Sequence, residues 1–296
     1  MQQKIELAKA RDFGEIINDT FMFVKQNFKP LFKIILTFCS FFLLALIVLQ
    51  YLQQAKILGL QQRMQNDPEA AASFDVPSLF GVEYFLTLIF SYLTQTILLT
   101  TVLSYIALYR DKGNIAPSPA EVWGYIKYYF LRIIGSIFVI GILMGLGFVL
   151  CIIPGIWLSP ILSLIFPIII FENTSLGYAF NRSFSLIKDN WWATFGALFV
   201  MLLIISLGVG ILMVPGMIVT AALSLTHLHD ASSLFTPLTI IMSVLQTLGF
   251  VLAALPIVTL ALCYFNLNEK KEGTGLMDRI NSFGKQPDTD LPAEEY

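Results

Sequence analysis

The chain has 296 residues, 56% of them hydrophobic and only 13% charged, with a mean hydropathy of +0.75. A soluble domain carries about a quarter charged residues, so a water-soluble monomer is excluded, as are disorder, collagen, a coiled coil and a disulfide scaffold. A net charge of −2 leaves no basic footprint for nucleic acid. What remains is an all-α, polytopic membrane protein.

In chain order, Asp12 and Glu15 have the spacing of a helix-capping box. About thirty polar or amphipathic residues precede the first apolar run, which is too long for a signal-peptide core and reads as an uncleaved span. Charge-free runs cover 34–55, 84–109, 133–171, 190–229 and 231–268. The third is long enough for two spans, with Pro154-Gly155 as the break. The fourth holds a span over 191–214, ended by Pro215-Gly216, and the fifth a span over 238–265, bent at Pro256. The expectation is six spans in one membrane domain, 1–265. A polar tail, 266–296, follows, with one short amphipathic helix through Leu276, Ile280 and Phe283 and disorder beyond Gly284. The loop 56–81 is expected to hold a short helix before Asp67-Pro68, and Cys39, Cys151 and Cys263 read as buried hydrophobes.

Basic residues set the orientation. Lys4, Lys9, Arg11, Lys25, Lys29 and Lys33 precede or open span 1, and Arg110, Lys112, Lys127 and Arg132 lie between spans 2 and 3. Arg182 and Lys188 separate spans 4 and 5, and Lys270, Lys271, Arg279 and Lys285 follow span 6. Only Lys56 and Arg63 fall on the other side, so sixteen of eighteen basic residues share one face. Both termini are expected in the cytoplasm of a bacterial inner or plasma membrane.

The chain also repeats itself. At an offset of 163, Gly14, Asn18, Phe21, Lys25 and Asn27 fall on Gly177, Asn181, Phe184, Lys188 and Asn190. At an offset of 61, Lys127, Gly135, Phe138, Leu146, Gly147, Pro154 and Gly155 fall on Lys188, Gly196, Phe199, Leu207, Gly208, Pro215 and Gly216. Both offsets meet at one lysine. Around it stands one frame: Phe21, Val24, Lys25, Phe28; Trp123, Ile126, Lys127, Phe130; and Phe184, Ile187, Lys188, Trp191. The i, i+3, i+7 spacing puts the three apolar residues on one helical face. Ser118-Pro119 with Glu121 marks the start of the second such helix. The expected plan is three parallel units, 12–109, 118–172 and 175–265, each an amphipathic interfacial helix leading into a two-span hairpin. The twelve frame residues either lie in the membrane interface, lysines snorkelling toward phosphate, or brace the bundle. Three lysines alone are too few for an anionic-lipid patch.

No charge falls in the middle of a span, which argues against proton relays. Uncharged polar residues cluster in span 2 (Ser91, Thr94, Gln95, Thr96, Thr100, Thr101, Ser104), with Gln246 and Thr247 in span 6. They read as helix–helix hydrogen bonds, or, through Gln95, Thr101 and Gln246, as a polar path. Gly141, Gly145 and Gly147 form a small-residue seam for close helix approach. His227, His229 and Asp230 could bind a metal, but residues at i and i+2 share no helix face. No metal, cofactor or catalytic residue is expected.

The junction from Phe171-Glu172-Asn173 through Leu176-Gly177, Ala179-Phe180-Asn181-Arg182-Ser183 and Leu186-Ile187-Lys188-Asp189-Asn190-Trp191-Trp192 resembles a known one. It is similar to that in the membrane domain attached to some bacterial glycerophosphodiester phosphodiesterases and in related multi-pass proteins, where a Pro-Gly also precedes the glutamate-bearing span. The resemblance covers 31–265 loosely and 154–192 well. The catalytic barrel of those enzymes has no counterpart here, so the resemblance implies a non-enzymatic membrane module. The expected role is a scaffold, assembly factor or lipid-interacting accessory whose partners are the bilayer and an unidentified membrane protein. The alternative is a transporter or channel for a small neutral or amphiphilic solute.

Overall fold

The structure is a computed structural model that describes residues 4–67, 76–150, 152–225 and 232–273. Among these residues ten α-helices follow one another: α1 Phe13–Gln26, α2 Phe28–Asn66, α3 Val82–Asp111, α4 Pro119–Leu150, α5 Ile152–Ser163, α6 Ile165–Phe171, α7 Leu176–Ile187, α8 Trp191–Leu225, α9 Ser232–Leu252 and α10 Ala254–Glu272. No strand occurs among the described residues. Six stretches are long and apolar enough to cross a membrane: Phe28–Leu60, Val82–Asp111, Pro119–Leu150, Ile152–Phe171, Trp191–Val219 and Pro237–Glu272, here spans 1 to 6. The all-α, six-span expectation therefore holds.

Four helix boundaries share one cause. Pro30, Pro154, Pro167 and Pro256 are each the third residue of a helix (α2, α5, α6, α10), and the preceding helix ends four residues before the proline, at Gln26, Leu150, Ser163 and Leu252. A proline has no N–H for the carbonyl four residues back, and its ring crowds that carbonyl, so the ladder stops there. Pro154-Gly155 thus opens a helix, and Pro256 marks the expected bend. Pro215-Gly216 does not end span 5, contrary to the sequence reading, because α8 runs through Pro215 to Leu225. Inside a membrane no water competes for the remaining backbone bonds, so an interior proline need not break a helix.

Spans 1 and 2 form an antiparallel hairpin: Lys56 pairs with Glu83 at one end, and Phe23, just before span 1, packs on Tyr105 and Tyr109 at the other. Spans 3 and 4 pair with Gly147 against Gly155, where a Cβ on Gly147 would come within 3.3 Å of the Gly155 Cα. Spans 5 and 6 pair with Val209 beside Gly249 and Gly216 beside Met242. The first span of each hairpin is the outer one: buried residues make up 28%, 22% and 11% of spans 1, 3 and 5, against 50%, 50% and 56% of spans 2, 4 and 6. Spans 2, 4 and 6 also touch one another. The bundle is an inner triangle ringed by three outer helices.

Hydrogen bonds mark the seams between hairpins. Tyr92 of span 2 donates to the Ile134 carbonyl of span 3 at 2.6 Å. Trp191 of span 5 donates through Nε1 to the Trp157 carbonyl of span 4 at 3.0 Å. Thr247 of span 6 donates to Gln50 Oε1 of span 1 at 3.0 Å, with Gln54 donating to Ser243 and Gln246 beside it, both at 3.3 Å. The last hairpin thereby closes on the first.

Three expectations change at the boundaries. The short helix predicted in the 56–81 loop is the end of α2, which continues to Asn66, followed by a 3-10 turn at Val76–Leu79. The membrane domain extends past 265, because α10 reaches Glu272 and buries Asn266 and Leu267. In the second unit the surface helix is not separate: α4 carries it and span 3 without a break. The reason is local: Asn27 with Pro30, and Asp189-Asn190, interrupt the first and third units, whereas no proline or turn residue follows Lys127. Leu276, Ile280 and Phe283 lie outside the described residues.

Candidate functional site at the basic end of the bundle

The loops that carry the basic residues come together at one end. Lys4 Nζ donates to the Asn114 carbonyl at 2.8 Å, Arg132 to that of Thr174 at 3.1 Å, Arg182 to Asn268 at 3.0 Å and Lys270 to Asn190 at 3.2 Å. All three surface segments of the repeat frame lie there.

Each frame has two faces. Position by position, Thr20, Val122 and Ser183 are buried, as are Phe23 and Leu186, while Lys25, Lys127 and Lys188 are exposed. Ile126 and Ile187 are buried and Val24 half-buried; Phe21, Phe28 and Trp123 are exposed, and Phe130, Phe184 and Trp191 half-buried. The surface segments therefore brace the bundle with one face and offer a lysine from the other, joined by exposed frame aromatics in the first two segments. Each braces a neighbouring hairpin. α1 packs on α8 and α10, where the Thr20 and Thr259 hydroxyls lie 3.2 Å apart. Trp123 stacks on Phe38 of span 1 at 5.5 Å. Phe184 of α7 meets Trp157 of span 4 at 6.2 Å.

At the centre the three inner spans end in a shared lock. Arg110 of span 2 sets its guanidinium 5.8 Å from the ring centroids of both Phe171 of span 4 and Phe265 of span 6, which stack at 4.9 Å. Glu172 accepts from Tyr264 Oη at 3.0 Å and from Arg182 Nε at 3.3 Å; Arg182 also pairs with Glu272. Burial opposes the charge on Arg182, but Glu272 and Glu172 outweigh it and raise its pKa. The tight turn after span 4 places Asn173 at φ 49°, with its Oδ1 3.3 Å from Arg132 Nη1.

A second lock, unannounced by the sequence, holds the N-terminal segment. Arg11, its side chain fully buried, pairs with Asp19 at 2.8 Å and donates to the carbonyls of Leu7 and Lys9 at 2.8 and 3.0 Å and to that of Glu6. Its backbone N–H donates to Asn266 Oδ1 at 2.8 Å. The only available signal was the apolar pair Ile5 and Leu7 just before Arg11, both now in the core.

The arginines of these locks are paired, whereas the frame lysines are not. The side chains of Lys25, Lys29, Lys33 and Lys188 form no hydrogen bond or ion pair among the described residues, and that of Lys127 only lies over the Trp123 ring at 5.7 Å.

The polar residues of span 2 do not bond across helices as expected. Thr94, Thr96 and Thr100 donate to carbonyls four residues back in their own helix, at 2.7, 2.8 and 2.8 Å. Thr101 and Ser104 are buried with no partner for their hydroxyls. Gln95, Thr101 and Gln246 are not brought onto one path either. Gln246 belongs to the span 1–span 6 seam, Thr101 is sealed in the core, and Gln95 alone lines a cavity of about 480 Å3. That cavity lies among the inner spans and span 5, walled by Leu99, Pro160, Ser163, Phe195, Leu198 and Pro256. The glycine seam is used in part: Gly147 makes the close approach, whereas a Cβ on Gly141 or Gly145 would meet open space.

No group of three His, Cys, Asp or Glu suited to a metal occurs among the described residues; His227, His229 and Asp230 lie outside them. Compared with protein-family models, with curated proteins and with solved structures, the chain matches none.

Proposed function

We propose that this chain is a non-enzymatic scaffold or lipid-interacting accessory of a bacterial inner membrane, with both termini in the cytoplasm, built from three copies of one unit. The observation that carries the reading is the two-faced frame. Three surface segments each brace a neighbouring hairpin while turning a lysine outward, beside the exposed Phe21 and Phe28 in the first, Trp123 in the second and Trp192 next to the third. An interfacial helix that anchors a bundle in lipid needs that division of labour. The gathering of the basic loops at one end supports the orientation. The proposal rests also on the resemblance of the 154–192 junction to the phosphodiesterase-associated membrane domain.

Photo-crosslinking residues in place of Trp192 and Tyr178, both exposed, test the role in cells. Lipid adducts, alone or with one discrete protein adduct, are expected. Formation of neither would overturn the proposal. Cysteines replacing Lys25, Lys127 and Lys188 test the topology: all three should react from the cytoplasmic side, and reaction of any one from outside breaks the three-unit plan.

One observation favours a second reading, passage of a small amphiphilic solute. Gln95 offers a carboxamide without a hydrogen-bond partner among the described residues to a mostly apolar cavity that Ser159 and Ser163 also line, beside helix breaks at Leu164 and Ala253. Such breaks mark binding sites in transporters. Solute flux in proteoliposomes that Gln95→Leu abolishes would favour this reading over the scaffold.

A further inference from the structure

We propose that the elbow between α1 and α2 is a headgroup site for an anionic glycerophospholipid, its phosphate held in a pocket by Lys4 and Lys25 and its charge attracted further by Lys29 and Lys33 on the adjoining turns of α2. The inference rests on the reading of the chain as a lipid-embedded protein and names the lipid class. In the sequence Lys4 is remote from the other three. In the structure the N-terminal segment folds back, and Lys4 and Lys25 line one polar pocket of about 500 Å3 together with Asn27, Tyr109 and Asn114. The left-handed turn at Gly113 and Asn114, φ 66° at both, presents the Asn114 carbonyl to Lys4 Nζ. An ammonium has three N–H donors, so this bond leaves two. Lys25 has no partner among the described residues, nor do Lys29 and Lys33, one helical turn apart on α2. No acid occurs between Asp19 and Asp67 to neutralise the three. Lys29 and Lys33 lie outside the pocket lining but follow Lys25 at four-residue steps, so with Lys4 the elbow offers four basic residues, the lower limit of a recognisable anionic-lipid site, which the frame lysines, one per unit, do not.

The surroundings choose a lipid over a soluble phosphate. Phe28 and Phe32 stack at 5.6 Å beside the lysines and are 57% and 40% exposed. Leu36, one turn further on, is 41% exposed. A soluble anion gains nothing from this apolar strip, whereas a phospholipid covers it with its acyl chains while its phosphate meets the lysines.

The test uses the full chain in nanodiscs of phosphatidylcholine with an equal fraction of phosphatidylglycerol, and counts lipids retained on release by native mass spectrometry. The wild type is expected to retain phosphatidylglycerol in preference. Each of Lys25→Gln, Lys29→Gln and Lys33→Gln should lower that preference by about fivefold. The triple variant should unfold in detergent at the wild-type temperature, because exposed, unpaired lysines hold nothing in place. Equal retention of the two lipids by the wild type, or an undiminished preference in the triple variant, overturns the site. Loss of the bound lipid to millimolar glycerol 3-phosphate or inorganic phosphate would assign the pocket to a soluble anion instead. Nanodiscs have no inside, so these results are independent of the cysteine-labelling topology: the headgroup site can fail while the scaffold stands, and the reverse.

Discussion

The hydroxyls of Thr20 and Thr259 lie 3.2 Å apart, joining the first helix of the chain to the last. Seven residues beyond Thr259, towards the polar end of α10, Asn266 accepts the Arg11 backbone N–H at 2.8 Å. The first contact fastens α1 to α10, and the second fastens the segment just before α1 to the same helix. Each threonine already donates its single hydroxyl proton to its own helix, Thr20 to the Ile16 carbonyl at 2.8 Å and Thr259 to that of Leu255 at 3.0 Å, so either can donate to the other only by giving up that bond.

The coupling between Thr20 and Thr259 should therefore be small, about 0.6 kcal/mol in a double-mutant cycle with valine. Asp19→Ala should cost several times more, about 2–3 kcal/mol, because it leaves a buried guanidinium without its counter-ion, softened by the three carbonyls that still accept from Arg11. Denaturation of the detergent-solubilised protein measures both. An Asp19→Ala variant as stable as wild type would show that the N-terminal segment does not lock the bundle.

Gln54 and Gln246 are 192 residues apart and meet at 3.3 Å. In a Cys151→Ser background, which leaves only the buried Cys39 and Cys263, Gln54→Cys with Gln246→Cys should be joined by a short bifunctional thiol reagent, compacting the chain on a denaturing gel. Gln54→Leu alone should cost only about 1 kcal/mol, since Ser243 keeps its bond to the Thr239 carbonyl at 2.8 Å. Failure of the folded double-cysteine protein to crosslink would open the ring.

Much of this was legible in sequence because membrane physics is strict. Span number follows from apolar length and absent charge, and the gathering of the basic loops from the distribution of lysine and arginine. Proline was legible in part. Pro154 and Pro256 break the chain where expected, but Pro215, in the same Pro-Gly dipeptide as Pro154, sits in an uninterrupted helix. The dipeptide does not decide between these outcomes, because what holds the freed backbone is tertiary. The lysine frame was found, yet its partition into a bracing and an outward face depends on which hairpin each segment lands on. Arg11 was counted only as an orienting charge; apart from Asp19, its acceptors are backbone carbonyls, which leave no mark in a sequence. Lys4 meets Lys25 through a fold-back that no periodicity encodes.

Pro256→Ala should restore an N–H facing the Leu252 carbonyl and fuse α9 with α10. Amide exchange across 254–257 is expected to slow by about fivefold, the worth of one added backbone bond of ~1 kcal/mol. Pro215→Ala, inside a helix that is already continuous, should alter exchange only at its own turn. Equal effects at both sites would mean that the proline does not set the break at Ala253.

The capping box of α1 gives a pH dependence with a defined sign. Glu15 accepts from the Asp12 backbone N–H at 3.1 Å and from Lys9 Nζ at 3.1 Å, and these bonds, the Asp12 one foremost, hold its carboxyl below the usual 4.5. A carboxyl whose folded pKa is depressed contributes stability that is fully present above its unfolded pKa and is lost as pH falls through the folded one. The first turn of α1 should therefore be tight at neutral pH and fray progressively once the pH drops below about 4.5. Glu15→Gln keeps an acceptor at the same place without a titrating charge, so its first turn should show less protection at neutral pH and no further loss through that range from this group. Exchange at the amides of 13–16, corrected for intrinsic rates, reads the difference. Identical pH profiles in the two proteins would mean that the Glu15 carboxylate does not hold the helix start, and that the entry of α1 onto α10 is fixed by the Arg11 lock alone.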